Sequence, residues 1–258
     1  MAGRRWGVWA LAALAAAQAA VLGWLLLRSH WQASAEASPV LRGRGVAERM
    51  GCFGCHGPGG VAGSKNPGAK GGEVPGWNGG VWMMYNRSEA DVRAWILDGH
   101  PPDRTPDPKA LLRMPAFRRR LSRAESDDLV AYVLAVSQFG EIDDAKASDG
   151  RDVAFRFGCF GCHGPEGRGL VANPGSLKGY VPTWDGADYP DLVRSDAELQ
   201  QWVKNGTTDR FRANPVARRI LTTEALQMPA FGDRMKAEEL DALLAYVKWV
   251  RAHPRTGR

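Results

Sequence analysis

Gly51-Cys52-Phe53-Gly54-Cys55-His56-Gly57-Pro58 returns unchanged as Gly158-Cys159-Phe160-Gly161-Cys162-His163-Gly164-Pro165, at an offset of 107 in position number. An eight-residue identity within one chain marks a duplication, and the likeness extends outward from it. Asn66-Pro67-Gly68 returns at Asn173-Pro174-Gly175, Val74-Pro75 with Trp77 at Val181-Pro182 with Trp184, and Arg87-Ser88 at Arg194-Ser195, all at the same offset. Met114-Pro115-Ala116-Phe117 returns as Met228-Pro229-Ala230-Phe231 at an offset of 114, which Ala131-Tyr132-Val133 and Ala245-Tyr246-Val247 keep. The second copy therefore carries seven extra residues, most simply within Thr207 to Gln227. The 258 residues divide into a head (1–38), a first unit (39–140), a polar linker (141–150) and a second unit (151–258). Each unit is of ordinary domain size.

Hydrophobic residues at 44% and charged residues at 24% exclude a disordered or multi-span membrane chain. The net charge of +6 raises the question of nucleic acid, but it is spread evenly. Residues 39–148 carry 15 basic against 13 acidic side chains, and residues 149–258 carry 16 against 14. The only three-residue basic run, Arg118-Arg119-Arg120, is shorter than a nucleic-acid tract and reads as a solvated face. No nucleic-acid partner is expected.

Trp6 to Leu27 is an apolar run broken only by Gln18 and two glycines, long enough to cross a bilayer as a helix. Trp6, Trp9 and Trp24 suit the headgroup regions, and Arg4 and Arg5 before the run against Arg28 after it favour a cytoplasmic N-terminus. A cleaved signal peptide is the alternative, since Ala33-Ser34-Ala35 and Ala35-Glu36-Ala37 have the small-x-small form, but the run exceeds the usual signal core. Either reading exports the rest of the chain.

Helices dominate the expected secondary structure, and neither unit shows a run of alternating strand character. Ser88 and Ser195 open amphipathic segments that Gly99 and Gly206 stop. Ser122 with Glu125 is a capping box before Leu129, Tyr132, Val133 and Val136; Lys236 stands at the equivalent place in the second unit, so that cap is missing. Helices through Val46 and Met50, and through Val153 and Phe157, are expected to run straight into the cysteine motifs.

Cys-x-x-Cys-His is the attachment sequence of c-type haem: two thiols placed for thioether bonds and an imidazole for the iron. A redox dithiol needs no adjacent histidine, a zinc site needs four ligands, and a structural disulfide explains neither histidine. Two haems are thus expected, on Cys52, Cys55 and His56 and on Cys159, Cys162 and His163. Methionine opposite histidine makes an electron-transfer centre, whereas an open position permits catalysis. Met114 and Met228, each well downstream of its histidine in matching elements, are the candidates; Met50, Met83 and Met84 read as core fillers. His30 and His253 lie near the ends and His100 aligns with Thr207, so a second histidine ligand is not favoured. No catalytic residue is expected.

On CFGCH, NPG, MPAF and the last amphipathic helix of each half, the sequence resembles class I cytochromes c duplicated into a di-haem protein. The resemblance implies an all-α fold of two tandem cytochrome c domains behind a single N-terminal transmembrane helix. It implies thioether attachment at Cys52, Cys55, Cys159 and Cys162, with axial pairs His56/Met114 and His163/Met228. In the family, a proline about a dozen residues after the histidine orients it through its carbonyl; Pro67 and Pro174 match that place, with a plain turn as the alternative. Trp77 and Trp184 resemble indole donors to a haem propionate, with core packing as the alternative, and Tyr132 and Tyr246 the aromatic site where the last helix crosses the first. The function implied is electron transfer between a donor and an acceptor protein, on the periplasmic side of a bacterial cytoplasmic membrane. The rivals are a di-haem subunit of a respiratory oxidase or dehydrogenase, and, against the paired methionines, a di-haem peroxidase.

Overall fold

The computed structural model describes residues 2–36, 38–138, 140, 142–169 and 171–255. Helix α1 (Ala2–Glu36) contains the one span among the described residues that is long and apolar enough to cross a membrane, Trp9–Ser29. The large apolar side chains of that span are exposed, and the Arg28 guanidinium sits 5.2 Å from the centre of the Trp24 ring at its end. The side chains of Arg4, Arg5, Trp6 and His30, and residue Ala37, lie outside the described residues.

The first unit comprises α2 (Pro39–Arg49), α3 (Phe53–His56), α4 (Gly80–Tyr85), α5 (Glu89–Asp98) and α6 (Arg123–Ser137). The second repeats them as α7 (Ala145–Arg156), α8 (Cys159–His163), α9 (Tyr189–Leu192), α10 (Asp196–Asn205) and α13 (Ala237–Ala252). It adds α11 (Asp209–Ala213) and α12 (Pro215–Thr223) where the seven extra residues are expected. The only strands among the described residues, β1 (Val171–Ala172) and β2 (Tyr180–Val181), pair antiparallel, and a Lys65–Glu73 bridge stands at the matching place in the first unit.

The local signals act as expected at most helix ends. Ser88 Oγ accepts from the Asp91 N–H and Ser195 Oγ from the Glu198 N–H, while Gly99 and Gly206 close their helices at φ of 81° and 68°. The Ser122–Glu125 capping box is complete. In the second unit half of the box survives: Lys236 offers no acceptor, but the Glu239 carboxylate still accepts from the Lys236 N–H at 2.9 Å.

Two expectations need correction. The first helices do not run into the cysteine motifs: Gly51 and Gly158, both at φ 73°, break each chain in the left-handed region before α3 and α8. The polar linker is also shorter than residues 141–150, because α7 starts at Ala145 with Asp144 as its N-cap. Ala147 and Gly150 are buried within the second unit. A capped helix start and the burial of two small residues outweigh the polar composition there.

Each core is organised by one crossing. Helix α6 packs on α2 and α13 on α7, and Gly43 and Gly150 sit at the contact points. A Cβ at Gly43 would lie 1.9 Å from the Asp128 carbonyl oxygen, and one at Gly150 would lie 2.0 Å from that of Ala242. The bare backbones bring Tyr132 and Tyr246 onto the first helices at these crossings. Around them Val46, Leu129 and Val133, and Val153, Leu243 and Val247, are all buried. Each large apolar side chain so placed contributes about 1.5–3 kcal/mol.

Candidate haem sites

Short helices α3 and α8 carry the cysteines and histidines. No disulfide joins the four cysteines; Cys52 is buried and Cys55 exposed. Burial pushes the Cys52 and Cys159 thiols up to about 11.

His56 Nδ1–H donates to the Pro75 carbonyl at 2.8 Å, and His163 Nδ1–H to that of Pro182 at 3.1 Å. A carbonyl only accepts, so the proton is fixed on Nδ1 and the Nε2 lone pair is left for a metal. Burial holds both imidazoles below the ordinary histidine range, which keeps them neutral. The orienting carbonyls thus belong to Pro75 and Pro182, not to the expected Pro67 and Pro174. The recurrence of Val-Pro is visible in the sequence, but only the folded loop shows that it returns to the histidine.

Each histidine ring lies against a tryptophan. Trp77 is 5.1 Å from His56 and 5.8 Å from Tyr132, centre to centre, and Trp184 is 5.2 Å from His163 and 5.8 Å from Tyr246. Phe53 and Phe160 complete the clusters. Both tryptophans are buried, so each acts at least as a packing wall that fixes the imidazole plane.

Met114 and Met228 stand in loops pinned on both sides. Upstream, the Asn66 side chain donates to the Leu112 carbonyl at 2.9 Å and accepts from the Leu112 N–H at 2.8 Å. Asn173 does the same to Leu226, at 2.9 and 2.7 Å. The Pro67 carbonyl accepts from the Leu111 N–H and that of Pro174 from the Ala225 N–H, so Asn-Pro-Gly grips the methionine loop and not the histidine. Downstream, the Phe117 N–H donates to the Ile96 carbonyl and the Phe231 N–H to that of Val203. Sequence reasoning does not single out the two asparagines, although their recurrence ahead of each proline is the available signal. His100 is half-buried in a loop with Nδ1 on the Pro101 carbonyl.

In the second unit these pieces meet. A cavity of about 300 Å³ is lined by Cys159, Cys162, His163 and Met228 in a mainly apolar wall that includes Trp184 and Leu243. Two thiols and a proton-fixed imidazole on an apolar cavity fit a covalently held, planar, metal-bearing macrocycle. The first unit repeats the thiols, the histidine–carbonyl bond and the asparagine clamp; the side chains of Val81 and Met83 there lie outside the described residues.

No curated protein and no solved structure matches the chain. The family model described as Cytochrome c matches residues 40–137 and again 147–251, most of both units. On that double match the chain belongs to the cytochrome c family, as two tandem domains that bind two haem c groups covalently.

Proposed function

We propose that this protein is a di-haem electron carrier with His56/Met114 and His163/Met228 as axial pairs, held by α1 at a bacterial cytoplasmic membrane with both haem domains in the periplasm. The observation that carries the reading is the convergence of Cys159, Cys162, His163 and Met228 on one cavity, with the same backbone clamps repeated in the first unit. Bound haem supplies the one-electron couple. The chain supplies the rest: Pro75 and Pro182 fix each imidazole tautomer, Asn66 and Asn173 fix each methionine loop, and the apolar wall excludes water, which raises the potential. A histidine and a methionine held for each metal would leave no open position for substrate, which favours transfer over catalysis.

Replacing Met114 or Met228 with Ala should remove the near-infrared methionine–iron band of one haem and lower its potential in a spectroelectrochemical titration. Retention of the band would refute that ligand. The second reading, a subunit of a respiratory oxidase or dehydrogenase, draws support from the exposed apolar helix α1, which offers a surface for other membrane helices as well as for lipid.

A further inference from the structure

The turns that follow the two cysteine motifs differ in charge. In the first unit Pro58–Gly60 leads to Val61, which is 52% exposed, whereas in the second Pro165–Gly167 leads to Arg168, which is 1% exposed. Glu166 stands where the first unit has Gly59 and keeps the same left-handed backbone, at φ 56° against 64°. Glycine takes that conformation freely, and a residue with a side chain is strained in it.

The strain places a carboxylate in a charged network. The Arg255 guanidinium donates to both Glu166 oxygens, at 3.0 and 2.6 Å. Arg168 donates to Asp185 at 2.7 Å and to the His253 carbonyl at 2.7 Å, with its Nε 3.4 Å from Glu166. The turn and the tail after α13 are thus tied together around two buried charges, Glu166 and Arg168. Burying charge is costly even when it is paired. The first unit builds the same helices with Gly59, Val61 and Asn78 at the places of Glu166, Arg168 and Asp185, so the cytochrome fold does not require the network.

Its location gives it another part. The Pro165–Gly167 turn packs on α6, the last helix of the first domain. The same turn touches Trp184, whose N–H donates to the Gly167 carbonyl at 2.8 Å and whose ring lies against His163. Arg255 reaches the linker, since a Cβ at Gly140 would lie 3.4 Å from its guanidinium. Burial disfavours the charge on Arg255, but Glu166 and, from the first domain, Glu89 of α5 help to outweigh that and hold the group above its ordinary range.

We propose that Glu166, Arg168 and Arg255 are positioning residues that clamp the two domains into one rigid body and so set the separation of the two haem pockets. Domains joined by a short linker move relative to one another unless their interface holds them. Tunnelling weakens exponentially with distance, so a fixed separation fixes the rate at which one electron passes between the domains, with no bond made or broken. This inference rests on the electron-carrier reading, but its test reads a distance and needs no electron transfer.

The measurement is dipolar EPR between the two ferric haems of full-length holoprotein in detergent. The parent should give one narrow distance distribution. E166G/R168V writes the first unit's own residues into the second, and R255Q removes only the tail's charge; each should lose the narrow peak to a broad distribution. Haem content, near-infrared bands and the potential of each haem should match the parent, and R255K should keep the narrow peak. A broad distribution in the parent, or a narrow peak retained in both variants, would overturn the proposal. So would loss of the second haem or of its near-infrared band in both variants, which would make the network part of that domain's own fold. Failure of the histidine–methionine reading would show separately, in the g-values of each haem in the parent.

Discussion

At the scale of single residues, Asn66 and Asn173 each tie a methionine loop to the fold with a donor and an acceptor from one side chain. Asn66→Ala and Asn173→Ala each remove two hydrogen bonds to the loop backbone, a loss of about 0.5–1.5 kcal/mol per bond. The expected result is a holoprotein that still binds haem but loses the near-infrared band of the affected domain at a lower pH or temperature than the parent. Unchanged stability of that band would show that the downstream bonds alone hold the loop. Glu224 gives a pH-dependent case. It lies on the wall of the second cavity, burial raises its carboxyl above the ordinary range, and the Asn173 amide bond only partly offsets this. A raised folded-state value means that the native state binds this proton more tightly than the unfolded chain. The native state is therefore favoured at acid pH and penalised as the carboxyl ionises. Glu224→Gln should raise the melting temperature at pH 7 and give no gain below the carboxylate range.

At the scale of elements, the helix crossings decide whether a domain forms around its haem. Gly43→Ala drives a methyl group into the Asp128 carbonyl and Gly150→Ala into that of Ala242, both backbone atoms of a buried helix. The helices must separate, at a cost of about 1–3 kcal/mol or somewhat more. Denaturant unfolding followed at the two haem bands should show the loss mainly in the mutated domain. Helix propensity alone predicts the opposite sign, since alanine is a better helix former than glycine by about 1 kcal/mol. The Ser122 box and the Ser88 and Ser195 caps are legible in the sequence because they depend on neighbours within one turn. The crossings are not, because each joins the first helix of a unit to its last, and those helices are distant in the chain.

For the whole molecule, the proposed tethering of the two cytochrome domains by helix α1 has a direct test. Full-length protein should sediment with membranes and resist high-salt extraction, and a form beginning at residue 39 should be soluble with both haems attached. N-terminal sequencing of the membrane-bound protein separates an anchor from a cleaved leader. Gentle detergent extraction tests the second reading: a stoichiometric oxidase or dehydrogenase in the eluate would replace the free carrier with a subunit.

The duplication, the two haem attachment sites, the candidate methionines and the helical class were determined by the sequence itself, since each follows from residue identity at fixed spacing. Tertiary structure alone decided which carbonyl orients each histidine, what Asn-Pro-Gly holds, where the second domain begins and what the seven extra residues build. Those outcomes depend on backbone groups, which every residue except proline carries alike, and on which loops the folded chain brings within hydrogen-bonding distance. Composition and spacing carry no record of that choice.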